Sequence, residues 1–221
     1  MTRMHCFRLA AASLIFAVAA LAQAADQALR LPFEGRWFVA QGGDTLNVNQ
    51  HMAEPAQAFG IDFVKVGGAS NRELSLPNAR RIEDYYSWGQ PVLAPVQGEV
   101  VALVNDRPDN ALGMKDAVHP AGNFVVIRTA SHRYVFLAHF QRGSLVVKRG
   151  ERVAAGQLLA RCGNSGNTDF PHVHLHVQDQ PELNTGQGQM PVFLNIKVEL
   201  SGKTFEHVDW PLTRGMFVSK D

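Results

Sequence analysis

Arg161-Cys162-Gly163-Asn164-Ser165-Gly166-Asn167-Thr168-Asp169-Phe170-Pro171-His172-Val173-His174-Leu175-His176-Val177 decides how this chain is read. Three histidines alternate with Val173, Leu175 and Val177, and a period of two marks a strand with two unlike faces. His172, His174 and His176 therefore share one face, with successive positions roughly 6.6 Å apart along the backbone. The Gly163-Asn164-Ser165-Gly166 run just before them is turn chemistry, so the strand leaves a tight loop. Imidazole is the commonest metal ligand, and two on one strand face can share an ion. Three in register, backed by apolar residues, point to a metal or catalytic site rather than to a solvated sheet face.

Working outward, the segments on either side are short strands separated by Gly and Pro. Asn123–Thr129 and Arg133–Phe140 read as a hairpin about Ala130-Ser131-His132, with His139 on the same face as Val135 and Leu137. Taken alone, a histidine there is a hydrogen-bonded core residue as readily as a catalyst. Pro91–Val96 and Gly98–Val104 read as two strands about a turn, and Gly150 and Gly156 punctuate the segment that leads to Leu158. Upstream, Phe59-Gly60-Ile61-Asp62-Phe63-Val64-Lys65-Val66 is strand-like. A carboxylate inside so apolar a strand is costly unless it is paired or bound to a metal, which singles out Asp62. No stretch has the helical period that a parallel α/β unit needs, so the expected fold is all-β, an antiparallel sandwich or open barrel with long loops.

Composition agrees with a globular chain. Of 221 residues, 46% are apolar and 19% charged, which argues against disorder. Arg3 and Arg8, the apolar run Leu9–Leu21 and the small residues Ala22-Gln23-Ala24 form an export signal, with cleavage expected after Ala24. Residues 25–221 then make a single domain in the periplasm or outside the cell, with no membrane insertion. Loss of Arg3 and Arg8 takes the 21 basic residues to 19 against 20 acidic ones, nearly balanced, and nothing suggests a nucleic-acid partner. Cys6 departs with the signal, so Cys162 has no partner for an internal disulfide and reads as a small buried residue. The sequence sets no oligomeric state.

Pro171-His172-Val173-His174-Leu175, preceded by Gly163–Thr168, closely resembles the His-x-His signature of lysostaphin-type, LytM-like zinc metallopeptidases. Gly89–Val101, Gly122–Ile127, Tyr134–His139 and Val147–Leu159 resemble further segments of that family in the same order, so the likeness covers most of residues 59–178. It implies that Asp62 and His174 hold one Zn2+ ion and that His139 and His172 flank the attacking water. The family places another histidine four residues before the aspartate; here that position is Ala58. His51, in a loop eleven positions upstream of Asp62, is taken as its replacement, as in a variant branch of the family. His176 stands where the family often has Glu and is expected behind the metal or facing solvent. The resemblance also implies the substrate, peptidoglycan stem peptides or cross-bridges, and the reaction, zinc-assisted endopeptidase hydrolysis. The competing reading is a non-hydrolytic relative that binds the cell wall and activates an amidase. A cupin-like metal enzyme also carries His-x-His on a strand, but needs a glutamate shortly after it, where Gln178 and Asp179 stand.

Overall fold

The computed structural model describes residues 28–206 and 211–220; the export signal expected at residues 1–24 lies outside them. Fifteen strands follow in chain order: β1 Ala28–Leu29, β2 Trp37–Gln41, β3 Ile61–Lys65, β4 Pro91–Leu93, β5 Gly98–Val104, β6 Phe124–Arg128, β7 Tyr134–Ala138, β8 Arg152–Val153, β9 Leu158–Arg161, β10 Val173–Gln178, β11 Gly188–Gln189, β12 Val192–Phe193, β13 Ile196–Leu200, β14 Lys203–Glu206 and β15 Phe217–Lys220. Among the described residues the only helical pieces are short 3-10 turns at Gln50–Ala53, Pro55–Gln57 and Ile82–Asp84, and none could cross a membrane. The fold is all-β and antiparallel in its main sheet, as the alternation of short strands and turns dictates.

That sheet has eleven strands, ordered β14-β13-β15-β2-β3-β10-β7-β6-β5-β8, with β11 added beside β10. Its centre is β10, flanked by β3 on one side and β7 on the other. The period of two in β10 sorts its side chains as a half-buried strand must. Val173, Leu175 and Val177 enter the hydrophobic core at 0–1% exposure, while His174 and His176 look the other way. Phe63 of β3 and Leu137 of β7 join the same core. Two small sheets, β4–β9 and β1–β12, contribute Val92, Leu159, Leu29 and Phe193 to it. One face of the main sheet is thus closed by apolar packing, worth about 1.5–3 kcal/mol for each large side chain fully buried. The opposite face is free to carry polar chemistry.

Two local readings change. Pro91–Leu93 and Gly98–Val104 do not pair about their turn: β4 pairs with β9, some seventy residues on, whereas β5 joins the main sheet against β6 and β8. Non-local pairing of this kind has no local sequence signature. His139 does not share the face of Val135 and Leu137. The strand ends at Ala138, and His139 takes φ +67°, a left-handed conformation uncommon for a residue with a side chain. That twist carries its ring off the core face and into the polar cleft, beside Ala138 and Phe136.

Candidate metal centre

Strand register builds the site. His174 lies directly across from Asp62 of β3 on one side and from Ala138 of β7 on the other. The β2 partner of Asp62 is Gln41, beyond a bulge between Val39 and Gln41. The two side chains meet at once: His174 Nδ1 is 2.9 Å from Asp62 Oδ1. His172, one residue before β10 and on the same face, puts its Nε2 3.6 Å from that oxygen.

His51 arrives from a loop, held by Asn49. The Asn49 side chain is fully buried; its Nδ2 donates to the carbonyls of Gly43 and Gly60 (2.8 and 3.1 Å), and its Oδ1 accepts from the His51 N–H at 3.2 Å. Since Gly60 sits two residues before Asp62, Asn49 fastens the His51 turn to the start of β3. His51 Nε2 then lies 3.1 Å from Asp62 Oδ2. Gly60 leaves the two rings room, for a Cβ there would stand 3.0 Å from His174 Cε1 and 3.2 Å from His51 Cδ2 and crowd both. Ala58 is absent from the group whose donor atoms lie within 4.8 Å of one another, which is His51, Asp62 and His174.

The two remaining histidines are locked at one nitrogen each. His139 Nδ1 donates to the Ser165 carbonyl at 2.8 Å, and His172 Nδ1 faces the Phe170 carbonyl at 2.9 Å. Carbonyl oxygens only accept, so each ring turns a hydrogen-bearing Nδ1 toward its carbonyl. The rings are 4.6 Å apart and line one cleft of about 690 Å³ together with the metal-binding candidates. Ser165 itself is buried, its hydroxyl donating to the Phe140 carbonyl and accepting from the Asn123 N–H. The Gly-Asn-Ser-Gly turn is therefore the bracket that orients His139. Gly166, at φ +90°, lets it pass Gly122, since a Cβ there would fall 2.5 Å from the Gly122 nitrogen.

Sequence reasoning did not find Asn49, Ser165 or Thr168, whose hydroxyl lies 3.0 Å from His172 Nδ1. It also left open a solvent-facing His176, which the structure corrects: that ring is 1% exposed, stacked 4.6 Å from Phe136. Cys162 is fully buried, and burial with Asp109 nearby pushes its thiol pKa up, away from nucleophilic use.

Charge in the site is one carboxylate among imidazoles. Burial alone would raise the Asp62 pKa, but His51 and His172 together with hydrogen bonds from His174 and His51 hold it well below the usual carboxylate range. Burial lowers His51 too, yet Asp62 more than reverses this and the net is upward. Burial takes His174 down to about 4, and it takes His139 and His176 well below the ordinary histidine value. In the metal-free protein these three rings stay neutral where an unfolded chain would bind protons, so stability falls with acidification from about pH 6.5 toward the folded values, near 4 for His174. His51, raised, is protonated in both states across that window and does not offset the loss; Asp62 adds its own loss only below the ordinary carboxylate pKa. Urea unfolding of the metal-free protein should show each lowered ring costing up to about 1.4 kcal/mol per pH unit within this range. Equal midpoints at pH 7 and pH 5 would refute that assignment.

Two imidazole nitrogens and one carboxylate oxygen suit zinc, which takes N and O donors and leaves room for water when three protein ligands bind it. Calcium and magnesium prefer all-oxygen surroundings. The residues present fit the metal.

Residues 83–187 match the family model of peptidase family M23. The match takes in His139, His172 and His174 and begins after His51 and Asp62. Among curated proteins, the chain is 27% identical over 169 residues to the peptidoglycan DD-endopeptidase ShyA of Vibrio cholerae, covering 74% of this chain and 30% of that protein. It is 37% identical over 82 residues to endolysin 2638A of a Staphylococcus phage, covering 35% of this chain and 17% of the endolysin. The chain thus spans less than a third of either relative. The catalytic domain of lysostaphin from Staphylococcus simulans aligns at 19% identity, over 69% of this chain and 86% of that domain, with a TM-score of 0.41. Residues 83–187, just under half of the chain, are thus similar to peptidase family M23.

Proposed function

We propose that this chain is an exported zinc metalloendopeptidase that hydrolyses peptide bonds in peptidoglycan, with residues 25–221 acting as one peptidase domain in the periplasm or outside the cell. The observation that carries the reading is the convergence of His51, Asp62 and His174 beside two histidines whose Nδ1 atoms face backbone carbonyls. His51, Asp62 and His174 would hold one zinc ion. Bound there, zinc supplies Lewis acidity, which polarises a carbonyl and brings the pKa of a water from 15.7 to about 7.

The chain's own groups supply the proton handling. His139, kept neutral by burial, takes a proton at Nε2 while Ser165 fixes its other nitrogen. His172 Nε2 stands on the same side of the cleft and can carry a proton to the departing amine. Asp62 contributes the negative charge that holds the cation, and the walls of the cleft, including Phe38 and Phe170, keep an extended peptide against the sheet. No observation favours the non-hydrolytic alternative, since a cell-wall binder would not need five such groups around one point. The test is to measure zinc in the purified protein and incubate it with purified sacculi, identifying released fragments by mass. New amino termini within the peptides, lost on chelation and restored by zinc, are expected. Protein that carries zinc but cleaves no peptide would overturn the endopeptidase reading.

A further inference from the structure

Besides the candidate metal ligands, the charged residues Glu54, Lys115, Asp169 and Arg214 line the cleft. Lys115 Nζ and Asp169 Oδ2 pair at 2.9 Å, and Asp62 is engaged by His51 and His174. Glu54 and Arg214 meet no side-chain partner among the described residues. Arg214 is therefore, among those residues, the one permanent cation of the cleft that no carboxylate neutralises.

Its head is exposed, yet its backbone is fixed. The Arg214 N–H donates to the Gly42 carbonyl at 3.3 Å, and the Gly215 N–H to that of Val39 at 3.0 Å. In return the Val39 N–H donates to the Met216 carbonyl at 2.8 Å. Leu212 and Met216, 2% and 5% exposed, root the turn in the hydrophobic core on either side of Arg214. Gly42 adjoins Gln41, the β2 residue paired with Asp62, so the anchor lies about one strand spacing, 4.8 Å, across from the Asp62 strand. In the sheet order β15-β2-β3-β10-β7, the metal candidates on β3 and β10 thus stand between Arg214 and His139.

An unpaired charge on a convex surface is solvated and does little, but in a cleft it focuses potential on whatever enters. A guanidinium, moreover, presents a planar fork that fits a carboxylate through two parallel charge-assisted bonds. We propose that Arg214 is a specificity-determining residue that binds a carboxylate of the peptide substrate, on the flank of the scissile bond that lies toward β2. The proposal rests on the peptidase reading given above, which supplies the peptide; Arg214 adds that the peptide is anionic on that flank. Cross-links whose residues keep free carboxylates are accordingly favoured over uncharged glycine bridges.

The test uses the full chain and a soluble cross-linked peptide dimer released from sacculi, with its carboxylates free or amidated. Binding is read by calorimetry on the metal-free protein, where no carboxylate can reach zinc and no hydrolysis intervenes. Wild type should bind the free acid about 10–100-fold more tightly than the amide, as charge-assisted hydrogen bonds would give, and added salt should shrink the preference. Arg214→Gln should bind both forms as wild type binds the amide. Arg214→Lys, which keeps the charge without the fork, should fall between. Arg149→Gln, at an exposed arginine outside the cleft, should bind as wild type does. In the zinc-loaded protein the Arg214→Gln loss should fall on KM rather than kcat. Wild type that binds and cleaves both forms alike, or Arg214→Gln that prefers the free acid as strongly as wild type, overturns the subsite alone. An Arg214-dependent preference in a zinc-loaded protein that leaves the cross-link whole upholds the subsite and overturns the endopeptidase reading. Wild type that neither binds nor cleaves the dimer overturns both.

Discussion

Changing Asp62 to asparagine should leave a folded protein that neither retains zinc nor hydrolyses its substrate. Asp62 is the only anion among the three candidate ligands, and it contacts both of the others, His51 at 3.1 Å and His174 at 2.9 Å. Asparagine keeps the volume and an oxygen but removes the charge, so a doubly charged cation would sit among neutral groups in a buried site. Changes to residues that merely support a ligand cost about 10–100-fold in affinity, so losing the charged ligand should exceed that range. In the metal-free protein the substitution also removes the partner that raises His51, and that ring should titrate at lower pH than in the wild type. Dialysis against zinc-free buffer, metal analysis and turnover on sacculi check the claim together. Retention of one zinc per chain by Asp62→Asn would remove Asp62 from the ligand set. His51→Ala should behave alike at the metal, and it carries the further question of whether a loop histidine has taken over from the position now held by Ala58.

How much of this was open to a reader of the sequence depends on the range over which each feature is encoded. The face of β10 is written in six consecutive residues, because side chains alternate along a strand whatever surrounds it. Asp62 stands out by energetic cost: an unpaired carboxylate inside Ile61–Lys65 would be too expensive to keep. His51 has no such signature, and only the family resemblance pointed to it. What brings it to Asp62 is the Asn49 side chain bonding backbone carbonyls six and eleven positions away, a role that no spacing rule reveals. His139 shows the limit of periodicity. Alternation places it with Val135 and Leu137, and one left-handed residue at the strand end reverses the outcome. The row behind His174 was half legible: period two puts His176 on its face, but the carbonyls of Gln180 and Glu182 that hold the Gln178 amide come from the following turn.

His139→Asn should cut turnover about 10²–10⁴-fold while zinc stays bound, the range expected when a general acid–base group is lost. That range corresponds to about 2.7–5.4 kcal/mol of transition-state stabilisation. Asparagine is the informative replacement because it tolerates the left-handed backbone better than alanine does. The strand end therefore keeps its shape, and the loss reports the missing imidazole rather than a displaced turn. His139 is not among the three residues whose donor atoms cluster, so metal content separates this variant from Asp62→Asn. His172→Ala should fall in the same range, since it is the other imidazole that lines the cleft without being a candidate ligand. The two rings lie 4.6 Å apart, and residues in contact that act as a unit are not additive, so the double variant should lose far less than the product of the single losses. Single variants that each keep turnover within about tenfold of the wild type would deny both histidines a part in proton transfer, and multiplicative losses would show that they act on separate steps.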